Sequence, residues 1–310
     1  MTTAFIFPGQ GSQSVGMGRA LAEASPHARA VFEEVDEALD ARMSRIMFEG
    51  PEDELTLTAN AQPAIMAVSI AVLRVIEREG GVRLSERAAF VAGHSLGECT
   101  ALCAAGALTL ADAARLVRRR GQAMQAAVPP GVGAMAALLG MDLELARAVA
   151  AEAAQGEVCV VANDNAPRQV VLSGHAAAIE RAIVLARAGG AKKAIRLAVS
   201  APFHCALMEP AARAVEGVLA ETPPVAPFVP LVANTTATPV AGPAEIARLL
   251  VEQVTGMVRW RESVTAMVDL GVTHFVELGA KVLGPMGKRT VPDAGQASLV
   301  TMADIEAWLR

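Results

Sequence analysis

The sequence predicts an α/β protein: a large α/β domain with a parallel sheet at its core, carrying an inserted ferredoxin-like βαββαβ domain. Two observations carry that expectation. Short apolar runs alternate with longer stretches of helical periodicity, the pattern of strands joined by helices. Between the breaks at Pro129-Pro130-Gly131 and Pro202 the order becomes β-α-β-β-α-β within about 70 residues. The expected division is 1–130 with 200–310 for the large domain and 131–199 for the small one.

In chain order, Ala4–Phe7 is a strand that stops at Pro8-Gly9-Gln10-Gly11-Ser12-Gln13, where proline and glycine impose a turn. Helical periodicity runs from Ser25 to about Arg45 and from Gln62 to Glu79. Ala88–Gly93 is a second strand and passes through Ser95 into a helix, Leu96–Ala105. A further helix, Leu110–Ala127, ends at the Pro-Pro-Gly break. The insert then reads as strand Ala134–Met141, helix Asp142–Gln155, strand Val158–Ala162, strand Gln169–Gly174, helix Ala176–Gly189 and strand Lys193–Val199. Helices Ala206–Thr222 and Pro243–Val254, strands near Phe228–Ala233 and His274–Leu278, and a C-terminal helix complete the large domain.

Composition narrows the function classes. A chain of 310 residues with 53% hydrophobic content buries enough surface to fold without staples, and disorder is excluded. With 27 basic and 32 acidic residues the net charge is −5, which argues against general nucleic-acid binding. Ala61–Ile76, interrupted by Gln62, Pro63, Ser69 and Arg74, reads as too short and too polar to span a bilayer. The N-terminus lacks the basic n-region of a signal peptide. Cys99, Cys103, Cys159 and Cys205 show no C-x-x-C spacing and read as reduced, buried residues, so a cytoplasmic location is expected. Neither a metal-ligand cluster nor a phosphate-cradling G-x-G-x-x-G is present, and no bound cofactor is expected.

Gly93-His94-Ser95-Leu96-Gly97 fits G-x-S-x-G between a strand and a helix. A serine on that sharp turn exposes its hydroxyl, and the helix N-terminus favours a developing oxyanion. The alternative is a structural glycine-rich turn. Of the five histidines, His27, His94, His175 and His274 read as structural, with His175 capping a small-domain helix. His204, in Ser200-Ala201-Pro202-Phe203-His204, lies at the junction between the domains, where clefts form, and is the candidate base. Arg120 falls on the apolar face of its helix with Leu110, Ala113, Val117, Gly121 and Met124, opposite Arg115, Arg118 and Arg119. A buried arginine stays charged and needs an anion. Either an internal Asp or Glu pairs with it, or it clamps a substrate carboxylate.

Several motifs together resemble one family. Phe7-Pro8-Gly9-Gln10-Gly11-Ser12-Gln13, Gly93-His94-Ser95-Leu96-Gly97-Glu98 and Arg120-Gly121-Gln122-Ala123-Met124-Gln125 occur in order. Asn165-Ala166-Pro167-Arg168-Gln169-Val170-Val171, Pro202-Phe203-His204 and Val251-Glu252-Gln253 follow. The set is similar to the malonyl-CoA:acyl carrier protein transacylases of fatty-acid synthesis over nearly the whole chain. The resemblance implies a large hydrolase-like α/β domain with a ferredoxin-like insertion. It implies Ser95 as nucleophile, His204 as base, Gln253 as the residue whose carbonyl orients the histidine, and Gln10 with Leu96 as the oxyanion-hole amides. It further implies Arg120 as the seat of the malonyl carboxylate, with Met124, Phe203 and Asn165 lining the pocket. Phe203 resembles the bulky residue of malonyl-selective rather than methylmalonyl-selective relatives.

The substrates so implied are malonyl-CoA and a phosphopantetheinylated acyl carrier protein, with coenzyme A a substrate and not a cofactor. No nucleic acid or membrane partner is implied, and a monomer is expected. Acidic carrier proteins call for a basic patch. Lys192-Lys193 with Arg196 is the first candidate and Lys288-Arg289 the second, though plain solvated charge accounts for either pair equally well. The chain departs from the family pattern at Gly279-Ala280-Lys281-Val282-Leu283, one residue shorter than Gly-Pro-Gly-Lys-Val-Leu. A serine esterase or thioesterase shares G-x-S-x-G but expects an acidic third member and a different oxyanion loop. A transacylase of a specialised polyketide pathway would use the same chemistry. A non-catalytic carrier-binding subunit would be expected to have lost Ser95, His204 or Arg120, all of which are present.

Overall fold

Residues 2–310 are described by the computed structural model, and β1 (Thr3–Phe7) lies in the interior of its larger sheet. Alternate side chains of β1 enter different cores. Phe5 and Phe7 pack with the helices Pro26–Leu39, Thr58–Arg78 and Leu110–Ala126, while Ala4 and Ile6 join Trp260 and Phe275. β2 (Ala88–Gly93) runs parallel to β1, with Phe7 opposite Gly93. The loop after β1 and the turn after β2 therefore emerge side by side at the carboxyl end of the sheet, where open α/β sheets bind ligands.

The insert contributes β3 (Gly133–Leu139), β4 (Cys159–Ala166), β5 (Gln169–His175) and β6 (Lys193–Arg196). These form an antiparallel sheet in the order β4-β5-β3-β6, the ferredoxin-like arrangement that βαββαβ connectivity produces. The helices Leu143–Ala154 and Ala176–Ala188 pack their Ala, Val and Ile side chains against it. The chain returns through β7 (Leu231–Val232), β8 (Pro239–Val240), β9 (His274–Leu278) and β10 (Gly295–Leu299). The large sheet has the order β10-β9-β1-β2-β7-β8, parallel except at β7–β8.

β4 runs four residues beyond the expected Ala162, and that extension joins the two domains. The Asp164 amide donates to Val258 O at 2.9 Å, and the Val258 amide to Ala162 O at 2.8 Å. Asp164, its side chain 1% exposed, accepts from Arg261 Nη2 at 2.7 Å and from Nε at 2.9 Å.

Other differences have local causes. The helical stretch expected from Ser25 to Arg45 breaks at Asp40, whose φ of 45° caps Pro26–Leu39 before Met43–Glu49 begins. The helix expected from Gln62 starts at Thr58 and carries Pro63 inside it. Proline cannot donate to the Ala59 carbonyl, and Arg118 Nη1 donates there instead at 3.0 Å. At 21 residues this helix is long and apolar enough to cross a membrane by composition, contrary to the expectation, yet 89% of its apolar window is buried within the protein. The helices Trp260–Asp269 and Leu283–Thr290 and the strand β10 were not anticipated.

Candidate active site

Ser95 sits at the turn between β2 and the helix Leu96–Ala104 with φ 55° and ψ −111°, a conformation L-residues rarely adopt. The turn is tight because Gly93 and Gly97, two positions to either side of Ser95, have no side chains. A Cβ on Gly97 would lie 2.2 Å from Phe7 O, so only glycine lets the new helix start against the end of β1. Asn234, wholly buried, staples the turn from outside. Its Nδ2 donates to Gly93 O at 2.7 Å and its Oδ1 accepts from the Ser95 amide at 2.8 Å.

His204 also has a left-handed φ, 59°, and its Nε2 lies 2.8 Å from Ser95 Oγ. Its Nδ1 faces two carbonyls, Gln253 O at 2.9 Å and Gly256 O at 3.1 Å, where the helix Pro243–Thr255 ends. Two acceptors fix the tautomer: Nδ1 carries the hydrogen and Nε2 accepts from the serine. The free carbonyls of a helix C-terminus thus occupy the place of an acidic third member. Burial, and then the charge of Arg120, hold the imidazole far below its ordinary value, at about 3, so it is neutral at physiological pH.

Arg120 is 3% exposed. It reaches this place because Gly121 lets its helix touch the start of Thr58–Arg78; a Cβ there would lie 2.6 Å from Thr58 O. Nη1 donates to Gln62 Oε1 at 2.7 Å, and Nη2 to Gln253 Oε1 at 2.9 Å and Ser95 Oγ at 3.1 Å. All these acceptors are neutral, and among the described residues no carboxylate makes an ion pair with it. The internal salt bridge, one of the two readings of this arginine, is therefore not what the fold provides.

A cavity of about 970 Å³ opens over this cluster and is lined by Gln10, Leu96, Met124, Phe203 and Asn165 among others. In the first turn after Ser95 the Gly97 amide donates to His94 O and the Glu98 amide to Ser95 O. The Leu96 amide, just before them, is an orphan donor of the helix N-terminus. Gln10 Oε1 accepts from Thr58 Oγ1 at 2.7 Å, and Thr58 Oγ1 accepts from Gln62 Nε2 at 2.9 Å. The Gln10 loop is thereby tied to the partner of Arg120. Asn165 Oδ1 lies 2.8 Å from His94 Nε2, linking the small domain to the nucleophile turn.

The family model for the acyl transferase domain matches residues 4–302. A malonyl CoA-acyl carrier protein transacylase of Bacillus subtilis is 46% identical over 92% of this chain and 89% of its own length. The chain belongs to that transacylase family. An acyl-carrier-protein-S-malonyltransferase from Bartonella henselae superposes with a TM-score of 0.98 at 51% identity, covering 100% of this chain and 99% of its own. A malonyl-transacylase solved with the holo acyl-carrier protein of a type II polyketide synthase superposes with a TM-score of 0.96 at 39% identity, covering 100% and 99%.

In the transacylase, Ser95, His204, Arg120 and Gln253 meet within hydrogen-bonding distance. Lys192, Lys193, Lys288 and Arg289 are exposed and outside the cavity lining, and Arg196 is paired with Glu180 at 2.6 Å. His175 stands at the N-cap position but does not cap with its side chain; its Nδ1 accepts from the Val158 amide at 2.9 Å. Sequence reasoning missed Gln62 and Asn234. Gln62 left a signal, as a polar residue in an otherwise apolar helix, whereas Asn234 lies in a polar turn indistinguishable from a surface loop. The shortened loop at Gly279-Ala280-Lys281 is anchored by buried Glu277, whose carboxylate accepts from the amides of Val282, Leu283 and Gly284 and from Ser298 Oγ. Val282, Leu283 and Met286 line the cavity, so that carboxylate holds part of its wall.

Proposed function

We propose that this chain moves the malonyl group of malonyl-CoA to the phosphopantetheine thiol of an acyl carrier protein through a malonyl-Ser95 intermediate. One observation carries the reading: a buried guanidinium with only neutral partners, 3.1 Å from the candidate nucleophile. Such a group favours an acyl chain ending in a carboxylate and disfavours neutral ones.

Ser95 Oγ gives its proton to His204 Nε2 and attacks the thioester carbonyl, while the amides of Leu96 and Gln10 hold the oxyanion. His204 returns the proton to the departing coenzyme A sulfur. The carrier thiol then loses its proton to His204 and takes the malonyl group by the reverse steps. Arg120 also disfavours charge on His204. A substrate carboxylate neutralises that influence, so malonyl makes His204 a better base and a neutral acyl group does not.

Coenzyme A is a substrate, and the mechanism uses no resident cofactor. The candidate catalytic groups all come from one chain, which supports a monomer, and four free, buried cysteines support a reducing cytoplasmic compartment. The carrier partner is that of fatty-acid synthesis. The similarity to a transacylase bound to a polyketide carrier protein favours a second reading, that of a polyketide pathway.

Initial rates against both substrates test the mechanism: double-reciprocal plots are expected to be parallel, with holo-carrier protein accelerating loss of malonyl-CoA over water alone. Intersecting lines, or hydrolysis faster than transfer, would contradict it.

A further inference from the structure

Glu98 stands in the first turn of the helix after Ser95 and is 1% exposed. Its carboxylate has two partners: Oε1 accepts from the Asn234 amide at 3.4 Å, and Oε2 from Gln253 Nε2 at 2.5 Å. Gln253 Oε1 in turn accepts from Arg120. One side-chain amide therefore separates a buried carboxylate from a buried guanidinium. Direct contact would consume the guanidinium in an ion pair. The spacer leaves Arg120 turned toward Ser95 while a counter-charge remains close by in a low-dielectric surrounding.

We propose that Glu98 is a positioning residue for Arg120, acting through Gln253, and that seating a substrate carboxylate on Arg120 draws one proton from solvent onto Glu98. This rests on the reading of Arg120 given above. With Glu98 ionised the buried cluster holds one positive and one negative charge. A second carboxylate leaves it one negative charge in excess, which burial makes costly. Protonation of Glu98 removes that charge, and its carbonyl oxygen still accepts from Gln253.

Burial already pushes this carboxyl up to about 7, against the lowering by its bonds to Gln253 and Asn234 and by Arg120. A carboxylate on Arg120 cancels one lowering influence and adds a like charge, and both raise it further. The neighbours leave Glu98 as the titrating group. The helix Leu110–Ala126 presents Arg120, and its own helix presents Cys99, a thiol that burial pushes up to about 11. The helix Pro243–Thr255 presents neutral Gln253, and the loop after β7 neutral Asn234. The helix Thr58–Arg78 presents neutral Gln62 to Arg120 and carries its charged residues Arg74, Glu77 and Arg78 in its last turns. β1, β2 and β7 contain no ionisable side chain. Malonylation itself conserves protons, since the serine hydrogen leaves on the coenzyme A thiol. The extra proton is solvent-derived and returns to solvent when the malonyl group departs.

The test is KM for malonyl-CoA from pH 6 to 8.5 in the wild type and in Glu98→Gln, which keeps an acceptor for Gln253 without the charge. KM in the wild type is expected to be flat below about 7 and to rise above it toward tenfold per pH unit. In Glu98→Gln it is expected to stay flat, with kcat changed far less. A flat wild-type profile, or the same rise in the variant, overturns the proposal. Should the variant not fold, calorimetric titration of Ser95→Ala with malonyl-CoA in phosphate and in Tris reads proton uptake directly, with acetyl-CoA as the blank for the coenzyme's phosphates. Uptake approaching one proton at pH 8 and vanishing at pH 6 is expected, and no uptake at pH 8 overturns the proposal. Failure of the Arg120 reading shows differently, as acetyl-CoA acylating Ser95 as readily as malonyl-CoA does.

Discussion

The two domains face the same cavity with different chemistry. The large domain presents a hydrogen-bonded cluster (Ser95, His204, Arg120, Gln253 and Gln62), in which the backbone of the nucleophile turn is itself stapled by Asn234. The small domain presents Met135, Val171, Leu197 and two asparagines, over a core of Ala, Val and Ile. One of its ties to the large domain is the Asp164–Arg261 pair, outside the reacting cluster. The difference teaches that the large domain holds the polar groups in fixed positions, whereas the small domain supplies a wall of the cavity. Substitutions should separate accordingly, with those in the first region removing rate and those in the second removing stability.

The largest effect is expected for Ser95→Ala and His204→Ala, each lowering malonyl transfer by about 10⁴-fold or more, with little further loss in the double variant because the two act as a unit. Steady-state transfer to holo-carrier protein checks this. Independent, additive losses would break the description of one cluster. Arg120→Ala is expected to lower malonyl transfer by roughly 10²–10³-fold and to narrow the preference over acetyl-CoA by a similar factor, the scale of removing one preorganised buried donor.

Asp164→Ala sharpens the other side of the comparison. It strands Arg261, whose side chain is 32% exposed, so the loss should fall below that of a fully buried pair, at about 2–3 kcal/mol in denaturant unfolding. The Ser95–His204 distance should be unaffected, so acylation at saturating malonyl-CoA should change by less than about threefold. A rate loss as large as that of Arg120→Ala would show the small domain to be part of the reacting cluster.

The pH profile is a smaller effect. In the proposed mechanism the neutral imidazole is the base, and His204 is held at about 3, so protonation would disable it only in strong acid. Acylation at saturating malonyl-CoA should therefore fall by less than about threefold between pH 7.5 and 5.5, where an unperturbed histidine would lose about tenfold. The smallest effect concerns the cysteines. Cys99 and Cys103, pushed by burial to about 11 and 12, should resist alkylation at pH 8 in the folded protein and react on unfolding.

The residues that the sequence exposed are those with a local signature. Ser95 lies in a five-residue motif between a strand and a helix, and Arg120 breaks an apolar face. The insert was legible because its six elements follow one another between two breaks. What escaped depends on contacts distant in sequence. Asn234 reaches Gly93 across 141 positions, and Gln62 reaches Arg120 across 58. β10, with Gly295-Gln296-Ala297-Ser298-Leu299, is an edge strand too polar to stand out, and it exists because β9 offers a parallel partner. The helix expected from Gln62 begins a turn earlier, at Thr58, and the side chain that satisfies the carbonyl freed by Pro63, Arg118, lies on another helix.

The most direct test of the central claim is the intact mass of the protein after brief exposure to malonyl-CoA or acetyl-CoA, in the wild type, Ser95→Ala and Arg120→Ala. A malonyl adduct in the wild type, absent from Ser95→Ala and far exceeding any acetyl adduct, with that preference lost in Arg120→Ala, is the result predicted. A malonyl adduct that persists in Ser95→Ala, or equal labelling of the wild type by both thioesters, would contradict it.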